Sequence, residues 1–488
     1  MWLPPKMTTI GRPSESVPLC VDLDGTLVRA DTTWEMLVAY LLDSPLGIIR
    51  VVRWARKGLG HVKVELWKNC PIDVEALPYD EHIRSWIEAE GKTRQVFLVS
   101  GAAQELVDEV VRRNPVFREG IGSTRERNLT ASAKANALTV RFGHGGFDYA
   151  GNSVCDIPVW RAARRAYGAN VNSAVARQAS SAGFDIHVIS SRRSPYMGLV
   201  TALRISQWTK NLLCIVPIIA SHNWASIHAW ESMARVFSAL CLASSAIYIG
   251  NDLRDIQNDR KHPTKRHRPL ANGTLSVTLA LMTAAMLTAG WIGMLDSFNG
   301  LTQALLATQL AASVFYTLRI KQVMVLDIIW LGLLYCNRIV IGAVALGLTP
   351  TAWLLGFALF FFVGIACVKR FRELSIAVLA SHSSLPGRGY LSEDRGMIGQ
   401  MGYSSSLMSV LVLALYIAQP EIRSLYPSPH FLWILCIILF YWVTRLWIKA
   451  NRGEITDDPL DFVLRDAATY YCGGFCLALV MAGALIKS

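Results

Sequence analysis

The chain has 488 residues and a net charge of +12, with 52% hydrophobic and only 17% charged residues. This composition excludes a disordered protein and is too apolar for an ordinary soluble one. The basic excess lacks interleaved aromatic residues, so we expect no nucleic-acid partner and instead expect contact with anionic lipid headgroups. The ten cysteines are scattered, which predicts neither a disulfide framework nor a zinc site.

Composition along the chain predicts four parts. Residues 1–16 form a polar leader without the apolar core of a signal peptide. Residues 17–190 alternate apolar runs with polar turns, which is typical of an α/β domain. A linker over 191–203 leads to residues 204–488, where long apolar segments alternate with short polar ones. The predicted fold is therefore a soluble α/β domain followed by an all-α membrane domain.

The segment VPLCVDLDGTLV, residues 17–28, begins as a buried strand and ends in Asp22 and Asp24. Parallel α/β sheets bind their ligands at the carboxyl ends of the strands. A carboxylate that works with Mg²⁺ can accept a phosphoryl group and release it to water. The strand end therefore predicts a site for phosphate chemistry.

The motif D-x-D-G-T resembles the first motif of the haloacid dehalogenase superfamily. The resemblance implies a Rossmann-like fold in which Asp22 is the nucleophile and Asp24 the acid/base. It also implies phosphate binding by Ser100, at the end of the apolar run 95–102, and by Lys134. Asp22, Asp24 and Asp156 would be the Mg²⁺ ligands.

One position departs from that family pattern, which usually reads G-D-x-x-x-D. Here Gly151 is followed by Asn152 and the motif ends at Asp156. Asparagine can give an oxygen to Mg²⁺ but brings no negative charge, and Asp148 is the nearest acid that could compensate. Both an active phosphatase and a fold retained as a scaffold or regulator stay open.

The sequence pattern of residues 31–92 predicts a helical insert that caps the site at Asp22 and Asp24. The insert includes the stretch LGIIRVVRWARKG, in which apolar residues alternate with arginines. Such a stretch could instead rest on a membrane surface. The cap is the preferred interpretation.

Nine apolar segments beyond Leu203 approach the ~20 residues that cross a bilayer. Lys and Arg concentrate in the loops that follow the even-numbered segments, which predicts that those loops and the N-terminal domain are cytoplasmic. The expected location is the inner (plasma) membrane. The predicted spans are 207–222, 231–250, 275–295, 302–318, 323–347, 351–368, 404–420, 430–448 and 468–486.

Three aspartates follow the second predicted span at positions 252, 255 and 259. This i, i+3, i+7 spacing places them on one face of a helix, where their charges repel unless a cation lies between them. Mg²⁺ binds through a few carboxylates together with substrate phosphates. The following Lys265, Arg266 and Arg268 suit phosphate oxygens, so the row predicts a metal-bound phosphorylated substrate.

The pattern N-D-x-x-D-x-x-x-D, followed by K-x-x-R-P over 265–269, resembles the UbiA-type prenyltransferase superfamily. Within it, the segments QWTKN (207–211), CNRIVIGAVA (336–345), VKRFREL (368–374) and DDPLDFVLRD (457–466) resemble decaprenyl-phosphate phosphoribosyltransferases of actinobacterial cell-wall synthesis. The resemblance implies a 5-phosphoribosyl diphosphate donor and a polyprenyl phosphate acceptor. The product would be decaprenylphosphoryl-5-phosphoribose or a related lipid of the arabinogalactan pathway.

Roles follow from the same resemblance. Asp252, Asp255 and Asp259 would hold Mg²⁺ on the diphosphate, and Asn251 would orient it. Asp327 would bind metal or ribose hydroxyls. The phosphate-binding candidates are Lys265, Arg268 and Lys321, and further substrate-binding candidates are Lys210, Tyr316, Arg338, Lys369 and Arg370.

Two other functions are compatible with the sequence. One is transfer of a prenyl group from its diphosphate to an aromatic or quinone acceptor, and the other is a transporter or lipid-binding scaffold. For the favoured function, the N-terminal domain would remove the 5-phosphate of the transferase product. A homo-oligomer is left open.

Overall fold

The computed structural model describes residues 17–191, 194–221, 223–381, 383–385, 387–420, 426–428, 430–455 and 459–485. The predicted leader 1–16, two residues of the predicted linker and the start of segment 457–466 lie outside these ranges. The described chain packs as two compact units. One contains the residues up to Leu203 together with Tyr248–Ala284, and the other contains Arg204–Ile247 together with the residues from Ala285 onward.

Within residues 17–191 the first unit has a sheet of six strands. All neighbouring strands are parallel and their order is β3-β2-β1-β4-β5-β6. This arrangement confirms the predicted α/β class and is the doubly wound order that binds ligands where the strand order reverses, here between β1 and β4. The strands are β1 (Leu19–Val21), β2 (Val96–Ala103), β3 (Phe117–Ser123), β4 (Asp148–Gly151), β5 (Arg165–Gly168) and β6 (Ile186–Val188).

The central strands are buried on both faces, as continuous apolar runs in parallel sheets require. Residues of β1 alternate between two apolar clusters, with Leu19 and Val21 in one and Cys20 in the other. Four helices connect β1 to β2, where the sequence predicts a helical insert. The helices of this unit are α1 (Thr32–Asp43), α2 (Ile48–Ala55), α3 (Leu59–Asn69), α4 (Glu81–Gly91), α5 (Gln104–Arg113), α6 (Ala131–Phe142), α7 (Ile157–Ala162), α8 (Ser173–Ser181) and α9 (Pro195–Leu203).

The remainder of the described chain is helical. Seven helices within it are long and apolar enough to cross a membrane. They include α11, whose last part, from Tyr248, belongs to the first unit. The bounds are α10 (Val216–Ala220), α11 (Ile227–Lys261), α12 (Val277–Leu295), α13 (Gly300–Leu318), α14 (Leu326–Ala345), α15 (Ala352–Leu379), α16 (Arg395–Ile417), α17 (His430–Arg452), α18 (Pro459–Arg465) and α19 (Ala467–Leu485).

Two of the nine predicted spans are not among those seven. The predicted span 207–222 begins as a 3₁₀ stretch, Ile205–Ile215, and continues as the five-residue helix α10. Polar residues from Ser206 to Asn211 and Pro217 explain why one long apolar helix does not form there. The last predicted span coincides with α19, whose apolar part, Ala467–Gly483, is shorter than the others. A count of nine spans therefore stays a prediction.

Candidate functional site

The carboxyl ends of β1 and β4 bring together three residues that the sequence singled out. Lys134 on α6 is buried, and its Nζ lies 3.0 Å from Oδ1 of Asp22 and 3.7 Å from Oδ1 of Asp156. The same Nζ donates to the hydroxyl of Tyr149 at 2.8 Å, and this hydroxyl donates to Asp156 at 2.9 Å. The lysine that the family resemblance pointed to is thus held between two acids 134 residues apart in the chain.

Burial and charge set the protonation of these groups. Burial raises the pKa of Asp22 to about 6, although Lys134 acts to lower it. Burial acts to lower the pKa of Lys134, but Asp22 and Asp156 outweigh it and raise this pKa above its ordinary value. The lysine is therefore charged at neutral pH and can neutralise an anion at this sheet edge.

Asp24 lies beside Asp22 and is bound by the start of α1. Its two carboxylate oxygens accept hydrogen bonds from the backbone N–H and the hydroxyl of Thr32, at 2.9 and 3.2 Å. Burial and the neighbouring Asp31 raise the pKa of Asp24 to about 8. A raised pKa favours the protonated form that a proton donor to a leaving oxygen needs.

Ser100 and Lys63 border the same sheet edge. Ser100 is buried in β2, where its hydroxyl accepts from the N–H of Ala102 at 3.0 Å. Lys63, on α3 of the insert, donates to the carbonyl of Gly101 at 2.7 Å and to Asn128 at 2.9 Å. Burial lowers the pKa of Lys63, while Asp24 and Asp31 act to raise it. The insert therefore supplies a lysine whose main electrostatic partners are Asp24 and Asp31.

Asn152 occupies the position where the resemblance predicts a metal ligand. Gly25, whose φ is +74°, leaves room for this side chain, because a Cβ there would collide with the Asn152 amide. Two residues after Asp24, the buried hydroxyl of Thr26 has no hydrogen-bond partner within the described residues. The oxygen donors at this edge suit Mg²⁺.

Asp148 does not compensate for Asn152. It begins β4 and pairs in register with Leu19, so it lies at the opposite end of the strand from Asn152. There it is buried and accepts two hydrogen bonds from Arg164, at 2.9 and 2.8 Å, and another from Arg94. Despite its burial, the two arginines hold the pKa of Asp148 below its ordinary value. Its role is structural.

The aspartate row lies on one uninterrupted helix, because α11 continues through residue 259 and ends at Lys261. Asp252 and Asp259 are buried, and one guanidinium nitrogen of Arg268 bridges them at 3.2 and 2.7 Å. Asp255 is half-buried on the same helix. The cation that the row requires is thus supplied by Arg268, whose side chain is 28% exposed.

Mg²⁺ fits the donor chemistry of this row. Within the described residues no group of three or more His, Cys, Asp and Glu side chains is arranged to hold a metal ion. Mg²⁺ typically needs only one or two carboxylates, however, together with water and substrate phosphates. Asp252 and Asp259 provide two such carboxylates around one cationic group.

The residue after Asp259 makes a contact that the sequence did not reveal. Arg260 is buried and forms a two-pronged ion pair with Glu35 of α1, at 2.9 and 2.5 Å. It also donates to the carbonyl of Ala271 at 3.0 Å. The end of α11 is thereby fixed to the helix whose first residue, Thr32, binds Asp24. Two isolated charges 225 residues apart carry no sequence signal for this pairing.

The second unit contains a separate buried polar cluster around Asp327. The carboxylate of Asp327 accepts a hydrogen bond from the hydroxyl of Tyr390 at 2.5 Å and lies 2.6 Å from Arg370. Arg388 lies 3.8 Å from the same carboxylate and donates to the hydroxyl of Tyr316 at 3.0 Å. Asp327 and Arg370 are fully buried, so both predicted substrate residues contact protein groups here.

Tyr390 and Arg388 were not predicted from the sequence. The hydroxyl of Tyr390 also accepts from the N–H of Val325 at 2.8 Å, and Val325 has φ +67°. A positive φ is strained for a β-branched residue, and such strain tends to occur at functional sites. The signal that marks this loop is the positive φ of Val325, and this angle is visible in the structure but not in the sequence.

The other predicted substrate residues of the second unit are dispersed over several elements. Arg338 of α14 donates to the side-chain oxygen of Asn211 at 3.0 Å and to the carbonyl of Leu334 at 2.7 Å. Lys210 lies in the 3₁₀ stretch Ile205–Ile215, Lys321 in the 3₁₀ turn Ile320–Gln322, and Lys369 on α15. In the first unit, Asn251 is on α11 and Lys265 is exposed in the turn Lys265–His267.

Known relatives cover both parts of the chain. An uncharacterized protein of Sinorhizobium fredii, y4nM, is 33% identical over 470 residues, which is 96% of this chain and 91% of that protein. The nodulation protein NoeC of Azorhizobium caulinodans is 31% identical over 292 residues, or 59% of this chain and 93% of that protein.

A third relative has a named activity. The decaprenyl-phosphate phosphoribosyltransferase of Mycolicibacterium smegmatis is 33% identical over 186 residues, which is 37% of this chain and 58% of that enzyme. The UbiA prenyltransferase family pattern matches residues 212–456. This match contains the aspartate row, Arg268 and the Asp327 cluster, together with most of the apolar helices. The chain therefore belongs to the UbiA prenyltransferase family, as a multi-pass integral membrane protein.

Proposed function

We propose that the enzyme transfers a 5-phosphoribosyl group from 5-phosphoribosyl diphosphate to a polyprenyl phosphate. The observation that carries this proposal is the pair of buried carboxylates, Asp252 and Asp259, bridged by Arg268. Likeness to a decaprenyl-phosphate phosphoribosyltransferase supports the choice of donor and acceptor. Because that match covers only part of both chains, the donor and the acceptor are proposals for this enzyme.

In the transfer, the bond from ribose C1 to the diphosphate oxygen breaks and a lipid-phosphate oxygen forms a new bond to C1. Asp252 and Asp259 would hold Mg²⁺, which neutralises charge that develops on the departing diphosphate. Arg268 is partly exposed, so it can leave the carboxylates and donate to phosphate oxygens. Lys265 is exposed in the preceding turn and can contact the same anion.

We further propose that the N-terminal α/β unit removes the 5-phosphate from the lipid-linked product. Asp22 attacks phosphorus, and the proton of Asp24 passes to the sugar oxygen as the phosphorus–oxygen bond breaks. Water then attacks the aspartyl phosphate and gives a proton to Asp24. This attack releases phosphate and restores the Asp22 carboxylate. Lys134, 3.0 Å from Asp22, would stabilise the negative charge throughout.

A donor screen with purified full-length enzyme, Mg²⁺ and polyprenyl phosphate tests the transferase proposal, with products identified by lipid mass. We expect a mass gain of phosphoribose from 5-phosphoribosyl diphosphate, followed by loss of phosphate. A prenylated aromatic or quinone acceptor, formed from a prenyl diphosphate with release of diphosphate while polyprenyl phosphate stays unchanged, would instead establish prenyl transfer. Pre-formed phosphoribosyl lipid, given without donor, tests the phosphatase step separately.

A further inference from the structure

The segment 45–59 of the insert exposes apolar side chains to an unusual degree. It consists of a 3₁₀ turn, Pro45–Gly47, the helix α2 and the turn that leads to Leu59. None of the eight residues of α2 is buried, whereas the flanking helices α1 and α3 both bury an apolar face. The exposed fractions are 80% for Leu46, 63% for Ile49 and 62% for Leu59.

The same segment carries only positive charge. Arg50, Arg53, Arg56 and Lys57 are exposed, and the sequence has no acidic residue between Asp43 and Glu65. Within the described part of the chain, none of these four cations forms an ion pair. Apolar residues beside uncompensated Lys and Arg are the combination that binds an anionic lipid surface.

Contacts inside the first unit bring this insert to the end of a membrane helix. Glu35 of α1 pairs with Arg260, one residue before the end of α11. Asp73, just after α3, pairs with Lys261 at 2.7 Å. The apolar part of α11 ends at Gly250, so its last turn lies only about 15 Å further along the same helix, on the side of the membrane where the insert is held. The segment 45–59 joins α1 to α3 at this place.

We propose that segment 45–59 binds the anionic lipid surface of the membrane in which the chain is embedded. The exposed apolar side chains would enter the headgroup region while the arginines contact lipid phosphates. A second copy of the chain fits this surface poorly, because the four cations of one copy would repel those of the other. A bilayer, by contrast, is always present around an integral membrane protein.

Amide hydrogen exchange on the full-length protein tests the proposal. The protein is placed in nanodiscs of phosphatidylcholine with phosphatidylglycerol, in nanodiscs of phosphatidylcholine alone, and in detergent. We expect the peptides that cover 45–59 to exchange at least about fivefold more slowly in the anionic nanodiscs than in the neutral nanodiscs. A factor of about five corresponds to the attraction of one cation to an anionic surface. Equal exchange under all three conditions would overturn the proposal.

Two variants make the test specific. Changing Arg50, Arg53 and Arg56 together to Gln should abolish the difference between anionic and neutral nanodiscs, and because all three are exposed the fold should persist. A matched control changes Arg112 and Arg113 of α5 to Gln, which should leave the protection of 45–59 intact. Protection that depends on protein concentration in detergent would mean that another protein copy covers the segment. A difference between anionic and neutral nanodiscs that survives the triple change would overturn binding to anionic lipid through the arginines.

One consequence of lipid binding by segment 45–59 rests on the proposed phosphatase function. The hydrogen-exchange measurement does not depend on that function. An insert held on the lipid surface would keep the Asp22 site within reach of a sugar phosphate attached to a lipid. The triple Arg→Gln variant should then hydrolyse phosphoribosyl lipid in anionic nanodiscs several-fold more slowly than wild type. Its hydrolysis of soluble p-nitrophenyl phosphate should match that of wild type. If the wild-type protein hydrolyses neither substrate, the proposed phosphatase activity is refuted, but the proposed lipid contact of segment 45–59 is not.

Discussion

The two groups of carboxylates, Asp22 with Asp24 and Asp252 with Asp259, differ in the cation beside them. Asp22 faces Lys134, which is buried on α6 and held in addition by Tyr149. Asp252 and Asp259 face Arg268, which follows a short turn and is partly exposed. A buried cation is a permanent part of its site, because its removal would leave a buried charge unpaired. A partly exposed cation can be exchanged for metal or move to a substrate.

The largest effect is expected at the site of Asp22, where the neighbouring cation is buried. Asp22→Asn removes the nucleophile without changing its shape, so phosphate release from phosphoribosyl lipid should fall at least about 1000-fold. Phosphate release from purified full-length protein, measured in detergent, checks this. Transfer from the phosphoribosyl donor should continue at the wild-type rate in the same sample. If both activities are lost together, the separation of the two sites is wrong.

The ion pairs made by Arg260 and Lys261 give a second contrast between buried and exposed cations. Glu35→Gln leaves Arg260 buried without its counter-charge, so the free energy of unfolding of the first unit should fall by about 3–5 kcal/mol. Lys261→Gln, which breaks the exposed pair with Asp73, should cost at most about 1 kcal/mol. Pulse proteolysis in a denaturant series measures both values. Equal losses for the two variants would contradict the buried contact between α1 and α11.

At the aspartate row, Asp252→Asn should lower the transferase rate about 100-fold, the upper end of the range for a disturbed metal site. The rate should recover in part at high Mg²⁺, because the amide still offers an oxygen. A Mg²⁺ titration of transferase activity checks this, with Asp296→Asn as a control that changes an exposed carboxylate. A rate that does not respond to the substitution would exclude the row as the metal site.

Arg268→Gln tests whether the bridging cation moves to the substrate. We expect the KM for the diphosphate donor to rise about tenfold, the loss of one charge-assisted contact. Stability should fall less than in Glu35→Gln when Mg²⁺ is present, because the metal would then supply the counter-charge of the two buried carboxylates. Steady-state kinetics and pulse proteolysis on the same variant separate the two quantities. A large loss of stability with an unchanged KM would make Arg268 a permanent partner like Lys134.

The smallest effect concerns Asn152, which lies against Gly25 at the sheet edge. Asn152→Asp adds a negative charge to the oxygen donors there, so half-maximal phosphate release should need roughly three- to tenfold less Mg²⁺. The measurement is a metal titration of phosphatase activity. A Ser153→Ala control should not lower the metal requirement. No gain from the added carboxylate would mean that position 152 does not contact the metal.

Much of the local structure follows from the sequence. A buried apolar run before Asp22 and Asp24 predicts a strand whose end carries both acids, since ligands of parallel sheets bind there. The i, i+3, i+7 spacing predicts that Asp252, Asp255 and Asp259 share a helical face, and α11 continues through all three. Long apolar segments predict membrane helices, because a bilayer requires both length and low polarity. These features depend only on neighbours in the chain.

Pairings between distant residues could be decided only by the tertiary structure. Lys134 meets Asp22, Glu35 meets Arg260, and Tyr390 meets Asp327, each across more than sixty residues of sequence. Burial then determines what each pair can do. A fully buried cation such as Lys134 stays paired because its removal would leave a buried charge uncompensated, whereas a partly exposed cation such as Arg268 can be exchanged. Hydrophobic periodicity specifies which face of an element is buried, but it does not specify which charge from elsewhere will lie against that face.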